Sequence, residues 1–285
     1  MSSIGRLKAL SFAAATVLAL GSADAGTLDT VRQDKALRIA YRDDAPPFSF
    51  ADDAGLPAGF MVDLCKSVAK HIGEQLAIND LKIAYVLVTA ENRFDAIENG
   101  KADLLCEPTS ETLSRREHVG FSIPTFVDGA SLLVGGDAPS DFAGLAGKKI
   151  GVLAGTTTEQ SLRDTLARAN LNAEVTPAKT HLDGLAMLDK GEIVAYFADR
   201  AILSYLASKS SDASKLRLAD NYFSLEPYAL GLPRSDEDFR LAVDRALSHI
   251  YRSGEIAIVF AHTFGNAMQP SDVLKTLYSV SALPD

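Results

Sequence analysis

Three arginines, a group of hydroxyls and one aspartate recur at one kind of place in this chain, just after a short apolar run that reads as a strand. Arg42 follows residues 37–41, and Arg93 follows the run that ends at Val88. Thr109, Ser110 and Arg115 follow residues 102–106; Thr156 and Thr157 follow residues 149–153; Asp199 ends the run 193–198. Open α/β sheets bind their ligands at the carboxyl ends of strands. An arginine there can hold a carboxylate through two parallel charge-assisted hydrogen bonds. A helix N-terminus, as at Thr156-Thr157, offers free backbone N–H groups to an anion, and Asp199 can accept from an ammonium. Together these groups suit a zwitterion that carries extra negative charge. Each also has a plainer reading: a solvated arginine, a helix N-cap for Thr156, Thr157 or Asp199, and a surface histidine for His181.

Other chemistries lack their residues. No G-x-G-x-x-G follows a strand and no G-x-x-x-x-G-K-[ST] occurs, so nucleotide binding is unsupported. No G-x-S-x-G elbow is present. The five histidines form no i, i+4 pair, and the two cysteines are far apart, so neither a metal nor another cofactor is expected. Cys65 and Cys106 permit one disulfide in an exported protein; the alternative is two small buried hydrophobes.

Alternating strands and helices must position these residues, which predicts α/β architecture with mainly parallel sheets. Residues 37–41 form the first strand. Residues 45–59 hold three prolines and two glycines and read as turn and loop. Phe60, Leu64, Val68 and Ile72 fall four apart on one helix face, with Gly73 as the stop. Strands follow at 81–88 and 102–106, with a short helix from Asn92 to Asn99-Gly100 between them. A second series begins with strands at 131–134 and 149–153, and continues with a helix carrying Leu162 and Leu166, a strand near 174–176, a helix around 182–188, a strand at 193–198 and a helix from Arg200. A strand at 228–232 and two helices parted by Gly254 close the reading. Each half opens with strand, polar loop and helix, which predicts two similar lobes with crossings near 131–136 and 224–231.

The first 25 residues read as a signal peptide: Arg6 and Lys8, an apolar stretch over 9–20, and Ala23-Asp24-Ala25 as the cleavage site. That stretch is shorter than the roughly 20 residues a spanning helix needs. With 47% hydrophobic and 23% charged residues the full chain is globular in composition. The full chain carries a formal charge of −9. This argues against nucleic acid and anionic membranes as partners, but a local arginine cluster can still take an acidic ligand because salt screens distant charge.

Longer motifs carry a family resemblance. Leu37-Arg38-Ile39-Ala40, then Pro46-Pro47-Phe48-Ser49-Phe50 and Gly59-Phe60-Met61-Val62-Asp63-Leu64, resemble the opening of family 3 extracellular solute-binding proteins. Asn99-Gly100-Lys101-Ala102-Asp103 and Ser114-Arg115-Arg116-Glu117-His118-Val119 continue it, and the likeness runs from about Leu37 to Phe264. Val88-Thr89-Ala90-Glu91-Asn92-Arg93, Gly155-Thr156-Thr157 and Ala178-Lys179-Thr180-His181 look most like the glutamate/aspartate-binding proteins of ABC importers. The resemblance implies the periplasmic-binding-protein type II fold, two α/β lobes joined by a two-crossing hinge, with the ligand cleft between them. Residues 26–133 and 228–285 would form lobe 1 and residues 134–227 lobe 2. It further implies a monomeric periplasmic protein that captures a polar, acidic amino acid by cleft closure and hands it to a membrane permease. Arg115 and Ser110 would hold the ligand α-carboxylate and Asp199 the ammonium. Arg42, Arg93, Thr157 and His181 would hold the rest.

Two positions depart from the acidic-ligand pattern: Ala90 and Pro108 stand where such members carry Ser. Ala45 stands where many members stack an aromatic ring on the ligand. Relatives that eliminate water and carboxylate from cyclic dienyl acids offer a rival reading, a cyclohexadienyl dehydratase-like lyase. That chemistry needs a general acid, for which Glu107 is the unassigned carboxyl at a strand end; the plainer expectation for Glu107 is a solvent-facing loop residue. A sensor ectodomain is a third reading, against which stands the absence of a second long apolar run.

Overall fold

The computed structural model describes residues 26–284; the signal-peptide reading lies outside them. Helix α1 (Thr27–Asp34) leads into β1 (Ala36–Tyr41). A small antiparallel sheet follows, formed by β2 (Asp44–Ala45), β3 (Ser49–Ala51) and β4 (Pro57–Ala58), where the prolines and glycines had predicted only loop. Next come α2 (Phe60–Gln75), β5 (Lys82–Leu87), α3 (Arg93–Glu98), β6 (Leu104–Leu105) and β7 (Gly120–Asp128). The chain then builds β8 (Ala130–Gly135), β9 (Lys149–Leu153), α4 (Thr157–Arg168), β10 (Glu174–Ala178), α5 (His181–Asp189), β11 (Ala195–Asp199), α6 (Arg200–Lys209) and β12 (Leu216–Leu218). It ends with β13 (Glu226–Leu232), α7 (Glu237–Ser253), α8 (Glu255–Phe264) and α9 (Asp272–Ser281).

Two five-stranded sheets result, in the orders β5-β1-β6-β13-β7 and β10-β9-β11-β8-β12. In each, three strands run parallel and the fourth is antiparallel to its neighbours. The sheets are therefore mixed, and the antiparallel strand in each is the one that has just crossed from the other lobe. The crossings lie at Gly129 and at residues 219–225, a few residues before the boundaries expected after 133 and before 228. The reason is pairing: all of Ala130–Val134 is hydrogen-bonded to β11 or β12 in the second sheet, and Glu226 already pairs with Asp128 in the first.

The crossings touch. A Cβ on Gly129 would lie 2.1 Å from the Ser224 carbonyl oxygen, so the backbones meet only because this residue has no side chain. Phe48 packs edge to face on Phe60, Phe126 and Tyr228, 4.9 Å from Phe126 and 5.4 Å from Tyr228 between ring centroids. Such aromatic contacts add to the burial of their area.

Helix α2 buries Phe60, Leu64, Val68 and Ile72 on the face expected, but it passes through Gly73, whose carbonyl accepts from Ile78 N at 2.8 Å. Cys65 on α2 is bonded to Cys106 after β6, with both residues fully buried. The staple fixes the segment that begins Cys106-Glu107.

Candidate functional site

Arg42 leaves the end of β1. Ser49 in β3 fixes its backbone, accepting from Arg42 N at 2.9 Å and donating to Arg42 O at 3.0 Å. The Arg42 Nε donates to Asp44 Oδ1 at 2.8 Å, and its Nη1 lies 3.5 Å from Glu107 Oε2. Arg93 opens α3 behind Asn92, whose Oδ1 accepts from Thr89 N at 2.8 Å. Its Nε lies 3.5 Å from the other oxygen of Glu107, and its guanidinium sits 4.6 Å from the centre of the Phe94 ring. Burial lowers the Arg93 pKa to about 10; Glu107 opposes this, while Arg115 and Arg42 add to it as like charges.

Glu107 is fully buried, which corrects the expectation of a solvent-facing loop residue. Two guanidinium groups neutralise it in the interior, which is the condition for a charge to stay there.

Arg115 begins the turn after this segment. Its Nη1 donates to the Ser110 carbonyl at 2.7 Å, and its cation lies 5.3 Å from the Phe94 ring centre. Burial lowers its pKa as well, against the attraction of Glu107, Glu226 and Asp199. Arg115 thus lies in the field of Glu107 and Glu226 on the first lobe's side and of Asp199 on the second.

On the second lobe the two threonines take different roles. Thr156 is the N-cap of α4 and accepts from Glu159 N at 3.1 Å. Thr157 turns into the cleft: its Oγ1 lies 3.2 Å from Ser110 Oγ and donates to Glu226 Oε2 at 2.7 Å. Ser110 Oγ donates to the same Glu226 oxygen, and Ser224 Oγ donates to the other at 2.9 Å. Glu226 thus ties both lobes and one crossing together, and the lobes are closed on one another.

His181 is buried rather than at the surface, at the first turn of α5. Thr180 caps that helix through a reciprocal capping box with Asp183. His181 Nδ1 lies 3.1 Å from Tyr196 Oη. The Tyr196 ring reaches it because Gly184 leaves room; a Cβ there would sit 2.1 Å from the ring. Burial, then the nearby Arg42 charge, holds the His181 pKa well below its usual value, so the ring is neutral.

Asp199 ends β11 at the N-cap position of α6, yet its side chain makes no cap hydrogen bond. Asp199 and the Tyr228 hydroxyl are buried side by side and interact with one another, an interaction that favours the Asp199 carboxylate. Burial raises the Asp199 pKa well above normal, and Glu226 and Asp128 push the same way. Asp128, which accepts from Ala201 N at 3.0 Å, is itself raised by burial to about 6. A positive charge arriving here would be stabilised by three carboxylates at once.

All seven residues expected at a site therefore join one chain of contacts and fields across the cleft: Arg42, Arg93, Arg115 and Ser110 from the first lobe, Thr157, His181 and Asp199 from the second. Glu226, Asp128 and Tyr228 were not anticipated in it, and Glu107 was raised only as the general acid of the lyase reading. The visible signal for Glu107 and Glu226 is an acidic residue at the edge of a fully apolar strand, where water is scarce. Among the described residues no group of three or more His, Cys, Asp and Glu is arranged to hold a metal ion, and no helix is long and apolar enough to cross a membrane.

Known proteins resemble this chain over most of its length. It is 30% identical to an L-glutamate/L-aspartate-binding protein of Pseudomonas aeruginosa, covering 86% of this chain and 82% of that protein. It is 28% identical to a glutamate/aspartate import solute-binding protein of Escherichia coli, covering 87% and 82%. The solved structure of an ancestral arginine-binding protein bound to glutamine superposes with a TM-score of 0.73 at 26% identity, over 81% of this chain and 99% of that one. The architecture is the two-lobed type II periplasmic-binding-protein fold. Residues 37–266 match the family described as bacterial extracellular solute-binding proteins, family 3, and the chain belongs to that family.

Proposed function

We propose that this protein is the periplasmic solute-capturing component of an ABC amino-acid importer and that its ligand is a small polar amino acid, glutamate or aspartate or one of their amides. The observation that carries this reading is the pairing of opposite charges across one closed cleft. Arg115 and the Ser110 and Thr157 hydroxyls lie at one end of it, and the buried Asp199, within the field of Arg115, lies at the other. A ligand α-carboxylate takes Arg115, with the Ser110 and Thr157 hydroxyls turning from Glu226 to donate to it, and the ammonium takes Asp199. Arg42, Arg93 and neutral His181 are left for the ligand side chain. The named relatives bind glutamate and aspartate, which supports the same class.

Closure follows from the two crossings: a ligand bound by both lobes favours the closed form by its differential affinity. The closed protein then presents both lobe faces to a membrane permease. We read the cleft as a binding site and not a lyase centre, because Glu107, the carboxyl such a reaction would need, offers its oxygens to two guanidinium groups.

Calorimetry with Glu, Asp, Gln, Asn, Leu and Lys tests the ligand class. Binding of the acids or amides at least tenfold tighter than Leu or Lys is expected, since Leu leaves buried arginines unpaired and Lys adds a like charge. Tightest binding to Leu or Lys refutes the class. Scattering at saturation should show a smaller radius of gyration than without ligand; an unchanged radius refutes closure.

A further inference from the structure

The side-chain end of the cleft holds a carboxylate as well as two guanidinium groups. Glu107 lies 3.5 Å from Arg42 Nη1 on one oxygen and 3.5 Å from Arg93 Nε on the other. Neither approach makes a hydrogen bond. Both Glu107 oxygens, and Arg93 Nε and Nη1, are buried with no hydrogen-bond partner. Buried polar groups are almost always satisfied, and a group that is not marks a place where a partner belongs. The unsatisfied atoms here are of both kinds, donors on Arg93 and acceptors on Glu107.

The charges also balance. Arg42 and Arg93 face Asp44 and Glu107, two cations against two anions; Arg115, also near Glu107, is answered by the ligand α-carboxylate, and His181 adds no charge. We propose that Glu107 is a specificity-determining residue and that, with Arg93 and Arg42, it selects a ligand side chain ending in a neutral carboxamide, glutamine or asparagine, over the corresponding acid. This rests on the reading of the cleft as an amino-acid site.

A side-chain carboxylate has only acceptors. It would satisfy Arg93, leave Glu107 unpaired and add a second negative charge beside it. An ammonium has only donors; it would satisfy Glu107 but face two guanidinium groups. An aliphatic side chain would satisfy neither. A carboxamide carries an acceptor oxygen and a donor NH2 on one planar group. Its oxygen accepts from Arg93 while its NH2 donates to Glu107, and the charge of the subsite stays balanced.

The test is calorimetry of the full mature chain with Gln, Asn, Glu and Asp, on the native protein and on Glu107→Gln, which keeps the shape and removes the charge. The native protein should bind Gln or Asn at least tenfold tighter than the matching acid. Glu107→Gln should shift the acid-to-amide ratio at least tenfold toward the acid. Native preference for the acid, or a variant that changes both affinities equally, overturns the proposal and leaves the amino-acid reading standing. If no amino acid binds, that reading falls and the proposal with it. Should Glu107→Gln fail to fold, the native acid-to-amide order alone decides.

Discussion

Reducing the Cys65–Cys106 bond should lower stability by an amount that follows from the loop it closes. The two residues are 41 apart in sequence. Tethering a loop of that length removes about 13 cal/mol/K of entropy from the unfolded chain, or about 4 kcal/mol at 25 °C. Native strain and residual unfolded structure commonly reduce such values, so a measured loss of about 2–4 kcal/mol is expected. The cleanest perturbation is reduction of the native protein, because the thiols keep the packing volume of two fully buried side chains. Cys→Ala at both positions would add a cavity cost to the entropy term. The assay is urea unfolding of the oxidised and reduced forms, with free thiols counted after unfolding. For a urea slope near the upper end of the usual range, about 3 kcal/mol/M, the midpoint should fall by about 1 M. Coincident midpoints with reduction verified would refute the argument. A lower midpoint accompanied by weaker ligand binding would be informative too, since the bond anchors the backbone that carries Glu107.

Two further outcomes concern the cleft. Arg115→Ala should weaken ligand binding at least tenfold, because a charge-assisted contact is worth about 1.5–3 kcal/mol and about 1.4 kcal/mol is a factor of ten; calorimetry reads it, and native affinity in the variant would remove Arg115 from the site. Asp128 has a pKa of about 6 when folded, raised by burial, against about 3.9 unfolded. Its contribution to stability is therefore fully present below pH about 4 and is lost as pH rises through about 6, a change on the order of 2–3 kcal/mol. Asp128→Asn keeps an oxygen for Ala201 N and should flatten that part of the stability profile in urea unfolding at pH 4 to 7; an unchanged slope would falsify the assignment.

Much of the fold was legible because its elements are locally consistent. The apolar face of α2, the strands at β1 and β9, and the break at Gly254, which adopts φ 80°, all follow from period and turn chemistry. The strand β7 was not read. Pro124 and the polar Ser122 and Thr125 break its alternation, and a proline is tolerated because β7 lies at the sheet edge. Helix α9 lies beyond the last element read from the sequence, although Ser271 caps it and Leu274 and Tyr278 bury one face. The residues placed at strand ends meet in one cleft, since topology delivers those ends there. What the sequence could not separate was cap from ligand group: Thr156 and Thr157 are identical side chains, and only geometry shows that the first closes a helix and the second faces Ser110. The role of Glu107 depends on Arg42, far away in sequence, and no local pattern encodes that meeting.

The order of strands in the first sheet bears on how the chain is assembled. Strand β13 lies between β6 and β7, yet it comes after the whole second lobe in sequence. A chain emerging from its N-terminus holds β6 and β7 long before the strand that must separate them exists. Both then present unpaired backbone edges, which are templates for wrong pairing. The second sheet has no such gap: its strands all lie between Ala130 and Leu218 and can close on themselves. The inserted lobe is thus the part able to mature first. The outer lobe, and with it Arg42, Arg93 and Arg115, waits for its C-terminal strand before it has a continuous sheet to stand on.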